Sequence, residues 1–493
     1  MFPYKTSFLL KRNTSQALYL QLSNQFITLI KNNTLPSNTK LPGSRVLAEM
    51  LNVHRKTVVA CYEELLLQGW IVSIPKKGTF VNTDLPLLHY QKSTNDIVKS
   101  IKSKANFSFK KSKILERKTF PELTNFTVIN DGVSDHRLTP IDDIARTYRR
   151  IASKKSTIEQ LTYKSTYGNI RLREALVSYL NETRGLQITI DNILITRGSQ
   201  MGIFLTAILL FKKDDLVVVG ETNYIAADVT FSQSKAKILR VPVDENGLNT
   251  DAIEKICKKK RIKAVFVTSH HHHPTTVTLS AKRRIHLLNL SKLYNFAIIE
   301  DDYDYDFNYN HAPILPLSSH DSLGNVIYLG SVCKTVAPVF RIGYLIAPKD
   351  FVDEAAKHRR YIDRQGDALL ELTFAEFIKS GDLDRHIKKV LKIYRQRRDL
   401  FCKLMTEELS AYFSFEVPKG GMAVWTILDK KYTWKQVSET AKRHQLEIGD
   451  WERYDLANNN HNAIRIGFAS YTEDEIIELV KKLKQTMNSL DFL

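Results

Sequence analysis

Two short runs carry residue types that could share one reaction. Ile298-Ile299-Glu300-Asp301-Asp302-Tyr303 ends an apolar stretch in carboxylates and a phenol. Val326-Ile327-Tyr328-Leu329 leads into Gly330-Ser331-Val332-Cys333-Lys334, with Arg341-Ile342-Gly343-Tyr344 soon after. A lysine amine condenses with an aldehyde, a carboxylate keeps a pyridine nitrogen protonated, and hydroxyl and guanidinium groups hold a phosphate. A Ser, a Lys and an Arg within eleven positions after a strand could therefore serve a phosphate and an aldehyde together. That is the requirement of pyridoxal 5'-phosphate. Each piece alone is weak, because a loop lysine is ordinarily a surface lysine. The order strand-Asp, strand-Ser-Lys, Arg carries the reading.

Such residues need a frame. In open α/β sheets, ligands bind at the carboxyl ends of strands. The runs Leu216-Val217-Val218-Val219, Ala264-Val265-Phe266-Val267, Phe296-Ala297-Ile298-Ile299 and Val326-Ile327-Tyr328-Leu329 are apolar throughout. This suits strands covered on both faces, as in a mostly parallel sheet. From about residue 355 onward, basic amphipathic helices and a few strands predict a smaller α+β lobe. No internal repeat is visible.

Residues 1–83 read differently. Tyr19, Leu22, Phe26, Leu29 and Ile30 recur at helical spacing. Leu35-Pro36 and Leu41-Pro42 break the chain, and Ser44 is placed to cap a helix carrying Val46, Leu47, Met50 and Leu51. After a turn at Asn52-Val53, a second helix carries Val58, Tyr62, Leu65 and Leu66, and Gly69 is placed to end it. Ile71-Val72-Ser73-Ile74, Pro75-Lys76-Lys77-Gly78 and Thr79-Phe80-Val81 spell a hairpin. Helix, short turn, helix and hairpin is the winged helix-turn-helix order, in which the second helix enters the major groove of DNA by its N-terminal end. Here that end is His54-Arg55-Lys56-Thr57. Arg55 suits bidentate contact with guanine, Lys56 and Thr57 suit base or phosphate, and Arg45 suits the backbone. Lys76 and Lys77, beside Gly78 at the hairpin tip, suit phosphates or the minor groove.

Charge agrees with a polyanionic partner. The 493 residues carry a net +19. Residues 1–83 hold +7 of it and residues 84–125 hold +5. The latter segment is rich in Lys, Ser, Asn and Thr and reads as a flexible linker. The expected organisation is a DNA-binding domain over 1–83, a basic linker over 84–125, a large cofactor-binding domain over 126–354 and a small domain over 355–493. No run of about 18 apolar residues predicts a membrane helix, and the start lacks the pattern of a signal peptide. Four scattered cysteines suit reduced thiols in the cytoplasm and no metal cluster. Adjacent side chains rarely point at one ion, so the run His270-His271-His272-His273 predicts no metal.

The N-terminal stretch, through LPGSR, TVVACYEELLLQGW and GTFV, resembles the GntR-type winged helix along its whole length. There the resemblance implies DNA contacts from Arg45, Arg55, Thr57 and Gly78. His54 stands where the family usually has a helix-capping Ser. The remainder, from about Asp131, resembles fold-type I aminotransferases through TRGSQMGI, IIEDDYDYDF, IYLGSVCKTVAPVFRIGYLIAP and IRIGFASYTEDEI. Together the two parts resemble the MocR subfamily of GntR regulators. That resemblance implies a Schiff base between Lys334 and pyridoxal phosphate. It implies that Asp301 faces the pyridine nitrogen, Tyr303 the ring hydroxyl, and Ser199, Gln200, Ser331 and Arg341 the phosphate. Tyr224 would stack on the ring, Tyr163 would reach a partner subunit's phosphate, and Arg465 would take an amino acid's α-carboxylate. Departures are Thr276 in place of a Gly, His273 where aminotransferases have a ring-contacting asparagine, Ala423 where a His is frequent, and no Pro before Tyr224.

The resemblance implies a homodimeric transcriptional regulator that binds operator DNA and senses an amino acid or amine, which would shift DNA binding or RNA polymerase contact. Two alternatives stay open: a working aminotransferase carrying a DNA-binding module, and a regulator whose large domain only dimerises.

Overall fold

A computed structural model describes residues 2–85, 105, 107–115, 125–309, 314–332, 334–454 and 460–491. Most of the expected linker, 84–125, lies outside the described residues, as does Cys333. The chain divides into two units, residues 1–111 and 112–493.

In the first unit, α1 (Tyr4–Ser7), α2 (Leu18–Lys31), α3 (Ser44–Met50) and α4 (Arg55–Leu67) precede a hairpin of β1 (Ile71–Ile74) and β2 (Gly78–Val81). Leu22, Phe26, Leu47, Val58, Cys61 and Leu65 are fully enclosed in one core. The sequence reading began this core at Tyr19, but Tyr4 and Phe8 also enter it, Phe8 lying 4.6 Å from the Phe26 ring. A second difference concerns capping. Gly43, extended at φ −60° and ψ 151°, takes the N-cap of α3, and Ser44 is the first helical residue. The Ser44 hydroxyl instead lies 3.4 Å from Arg55 Nε. Gly69, at φ +76°, follows the end of α4, where a left-handed residue costs glycine nothing.

The second unit is built on seven strands: β4 (Ile193–Thr196), β5 (Leu216–Gly220), β6 (Lys237–Val241), β7 (Ala264–Val267), β8 (Ala297–Asp302), β9 (Val326–Ser331) and β10 (Gly343–Ile346). Their order is β4-β10-β9-β8-β7-β5-β6. Every neighbouring pair is parallel except those that β10 makes with β9 and β4. The helix α5 (Ser199–Leu210) follows β4. Two apolar clusters sandwich the sheet, with Val217, Phe266 and Ile299 in one and Val218, Val265 and Ile298 in the other. That two-sided burial is why these strands are apolar without alternation.

The expected boundary at 354/355 falls inside α6 (Lys349–Arg360). The next helix, α7 (Ala368–Lys379), buries Phe374 and Phe377 against Ile195 and Tyr344 of the large sheet. A 28-residue helix, α8 (Asp382–Leu409), leads into a three-stranded sheet of β11 (Phe413–Ser414), β12 (Ala423–Leu428) and β14 (Ala463–Gly467). The strand between them, β13 (Leu446–Ile448), pairs in parallel with β3 (Thr127–Ile129), and α9 (Glu473–Asp491) covers the lobe. Among the described residues, no helix is long and apolar enough to cross a membrane.

Candidate functional site

The strand directions decide which residues meet. β4, β5, β7, β8 and β9 run the same way, so Ser199, Tyr224, His273, Asp301 and Ser331 lie at one edge of the sheet. β10 runs oppositely, so Arg341, just before it, returns to that same edge. Lys334 follows β9 within three residues. Its Nζ donates to the carbonyl of Gly132 at 2.8 Å.

Asp301 is 3% exposed, and its Oδ1 has no hydrogen-bond partner among the described residues. Burial, then the neighbouring Asp302 and Asp304, push its carboxyl up to about 8, against the opposing pull of Lys334. At neutral pH this group is held protonated, or awaits a cation. Asp302 behaves oppositely. Burial raises it, but His270 at 3.0 Å and Arg184 outweigh that and hold it ionised. Tyr303 donates to the backbone carbonyl of His271 at 2.8 Å and accepts from Arg465 Nη2 at 3.3 Å.

Arg341, at φ +51°, lies with its guanidinium over Gly198 and donates to the Arg197 carbonyl at 2.7 Å. A Cβ on Gly198, itself at φ +77°, would stand 2.8 Å from Arg341 Nη2. Glycine there lets backbone and guanidinium meet at the N-terminus of α5, where helix amides favour an anion. Ser199 and Gln200 open that helix, Gln200 Nε2 reaching Thr230 at 3.0 Å while its Oε1 is buried without a partner. The Ser331 hydroxyl donates to the Ile342 carbonyl at 3.2 Å. Tyr163 stands apart from these residues, 74% exposed beneath Arg364 at 4.2 Å.

The histidines go to separate partners: His270 to Asp302, His271 to Asp304 at 2.9 Å, His272 to Thr275 at 2.9 Å, and His273 toward Asp131 at 3.6 Å. Burial holds His272 down to about 3 and His273 to about 4, so both are neutral at pH 7. The His273 ring contacts Tyr224 edge-on at 5.4 Å. Thr276 sits at φ +64°, a left-handed conformation strained for a β-branched side chain.

Asp131 is the junction that sequence reasoning missed. It meets Arg453 at 3.2 Å as well as His273. Burial alone would raise its carboxyl, but His273, Arg453 and Lys334 outweigh that and hold it below the usual range. No local pattern announces this, because Arg453 is 322 positions away, as the chain numbering shows. Arg465, 2% exposed, donates to the carbonyls of Asp131 at 2.7 Å and Pro274 at 3.3 Å. It makes no ion pair among the described residues.

On the first unit, Arg45, His54, Arg55, Lys56, Lys76, Lys77 and Gly78 are exposed and Thr57 is half-buried. His54 is the N-cap of α4, and its Nδ1 accepts from the Lys56 amide at 3.2 Å. The imidazole thus replaces the capping serine. Lys76, at φ +62°, and Gly78, at φ +117°, form the tip of the wing.

Comparison with known proteins divides the chain in the same place. Residues 127–483 match the family described as aminotransferase class I and II, and residues 18–81 match the bacterial regulatory proteins of the gntR family. The uncharacterized HTH-type transcriptional regulator YisV of Bacillus subtilis (strain 168) is 25% identical over 97% of this chain and 98% of its own length. The probable rhizopine catabolism regulatory protein MocR of Rhizobium meliloti is 26% identical, covering 84% of this chain and 82% of its own. A crystal structure of kynurenine aminotransferase from Pyrococcus horikoshii, in complex with PMP, superposes with a TM-score of 0.71 at 26% identity, over 78% of this chain and 97% of that one. The chain belongs to the aminotransferase class I and II family, and within it to the MocR-type fusions that carry a GntR-type winged helix ahead of the transferase-like domain.

Proposed function

We propose that this protein is a DNA-binding transcriptional regulator whose transferase-like domain holds pyridoxal phosphate and senses an amino acid or amine. The observation that carries the cofactor reading is Asp301 Oδ1, buried and without a partner beside the lysine. A pyridinium N–H would satisfy that atom. The close approach of Arg341 to Gly198 at the start of α5, where helix amides favour an anion, fits a phosphate. When bound, the cofactor supplies a carbonyl that captures amines covalently.

The chain's own residues would then do the following. Lys334 tethers the carbonyl carbon and Asp301 keeps a proton at the ring nitrogen. Tyr303 would bond the ring hydroxyl, its own proton turning from the His271 carbonyl if it is the donor, and Tyr224 would cover the ring. Arg341, Ser199, Gln200 and Ser331 hold the phosphate, and Tyr163 serves the partner subunit of a homodimer. Arg465 takes the effector's carboxylate, since a planar guanidinium with no ion pair suits bidentate capture.

On DNA, Arg55 reads base edges from the start of α4. Arg45, His54, Lys56, Thr57, Lys76, Lys77 and Gly78 complete the contact with a two-half-site operator. Effector binding shifts operator affinity or polymerase contact only as far as the effector prefers one arrangement over another.

Borohydride reduction of the cofactor-treated protein, followed by peptide mapping, should mark Lys334. A mark elsewhere, or none, would refute the cofactor reading. Steady turnover with amino-acid and keto-acid pairs would instead make the protein a working aminotransferase.

A further inference from the structure

Beside Arg465 lies a cavity of about 250 Å³. It is smaller than the roughly 300–1,000 Å³ of drug-sized sites, and it suits one free amino acid. Among the described residues, five charged side chains line it: Arg465 and Arg453, with Asp131, Glu447 and Asp450. Two of these neutralise each other, because Asp131 and Arg453 form an ion pair at 3.2 Å. Arg453 also donates to the Tyr454 hydroxyl at 2.5 Å, so it is committed inside the wall.

The remaining charges on its wall are those of Arg465, Glu447 and Asp450. Arg465 is a buried cation whose partners among the described residues are neutral oxygens, the Asp131 and Pro274 carbonyls and the Tyr303 hydroxyl. Glu447 is 6% exposed, and among the described residues its carboxylate makes neither an ion pair nor a hydrogen bond. Asp450 adds a second carboxylate, within electrostatic reach of Arg453 but outside ion-pair distance of any cation among the described residues. The Glu447 carboxylate lines the cavity with no cation paired to it among the described residues, and a cation arriving there would gain a charge-assisted bond. Ile129, Ile464 and Trp451 add an apolar wall suited to a methylene chain.

We propose that this cavity selects a basic amino acid, with its carboxylate on Arg465 and its side-chain cation at Glu447 and Asp450. The assignment deepens the sensing role and rests on Arg465 receiving a carboxylate. Acidic amino acids would bring their second carboxylate against Glu447 and Asp450. Neutral ones would leave both unpaired, and like-charge and unpaired-charge penalties discriminate more strongly than apolar fit.

The test is calorimetry on the full chain reconstituted with pyridoxal phosphate. The ligands are L-lysine, its neutral isostere L-6-hydroxynorleucine, and L-glutamate. Lysine should bind at least about tenfold tighter than 6-hydroxynorleucine, with glutamate weakest. Glu447→Gln should remove most of that preference by weakening lysine alone. An unchanged affinity for 6-hydroxynorleucine in the variant shows that the fold and the Arg465 end are intact. Equal affinities in the wild type, tighter glutamate binding, or a lysine preference that survives in Glu447→Gln each overturn the inference, and so does absence of heat with all three ligands. Borohydride mapping of the same preparations separates the two readings. A lysine preference that depends on Glu447, without a label on Lys334, overturns the cofactor reading and leaves this one standing.

Discussion

Asp301→Asn should change the protein in two opposite directions. In cofactor-stripped protein the Asp301 carboxyl is displaced from 3.8 to about 8 by burial and by Asp302 and Asp304. A carboxyl whose folded value is raised binds its proton more tightly folded than unfolded. Stability is then full below pH 3.8, falls as pH rises through the window, and levels off above about 8. Within that window the loss is about 1.4 kcal/mol per pH unit, on the order of 5 kcal/mol in all. For a domain of this size that corresponds to about 1–2 °C of Tm per pH unit. Asparagine has the same shape and no proton to lose. Thermal unfolding of both stripped proteins between pH 5 and 9 should therefore show the variant gaining on the wild type up to pH 8 and running parallel beyond. The same variant should bind pyridoxal phosphate at least about a hundredfold more weakly, because a neutral amide cannot pair with a pyridinium. Parallel Tm curves from pH 5 to 8 would refute the reasoning, since Asp301 would then already be ionised in the folded protein.

Other substitutions test other parts. Gly198→Ala places a Cβ 2.8 Å from Arg341 Nη2 and should lower cofactor affinity at least about tenfold, with a stability loss near 1 kcal/mol, read by titration and by unfolding. Thr276→Gly should stabilise the protein by about 1–2 kcal/mol, because the residue sits at φ +64°; an unchanged Tm would show the turn to be unstrained. His54→Ala should cost about 0.5–2 kcal/mol of winged-helix stability through loss of the cap on the Lys56 amide. Arg55→Ala should cost about 1–3 kcal/mol on the specific operator only. Lys76→Ala and Lys77→Ala should each weaken binding to any DNA and lower the salt slope by about one.

The parts of the fold that sequence reading placed well have a local physical signature. Four strands announced themselves as unbroken β-branched runs because both faces of the sheet are covered. The wing announced itself by two β runs around Pro75-Lys76-Lys77-Gly78. β4 and β10 were harder. Ile193–Thr196 is a four-residue strand between a 3-10 turn and a glycine, and β10 follows the arginine that drew attention to itself. The chemistry divides in the same manner. Asp301, Ser331, Lys334 and Arg341 lie close in sequence because they sit at the ends of neighbouring strands. Asp131, Arg453 and Glu447 are joined only by tertiary packing, and no spacing reveals them. Tyr4 and Phe8 carry no sequence signal, because the single turn of helix over Tyr4–Ser7 leaves too few positions to show a period.

The pairing of β3 with β13 has a consequence for how the molecule can be dissected. Thr127–Ile129 is the first strand after the basic segment that leads to the winged helix, and the next two residues, Asn130 and Asp131, already line the cavity. Val128 and Ile129 are themselves part of its wall. The strand that begins this unit is therefore also part of the wall of the cavity. A truncation intended to isolate the transferase-like region must begin upstream of Thr127. One that begins a few residues later removes the edge of β13, the carbonyl that receives Lys334 and the carboxylate that neutralises Arg453 in a single cut.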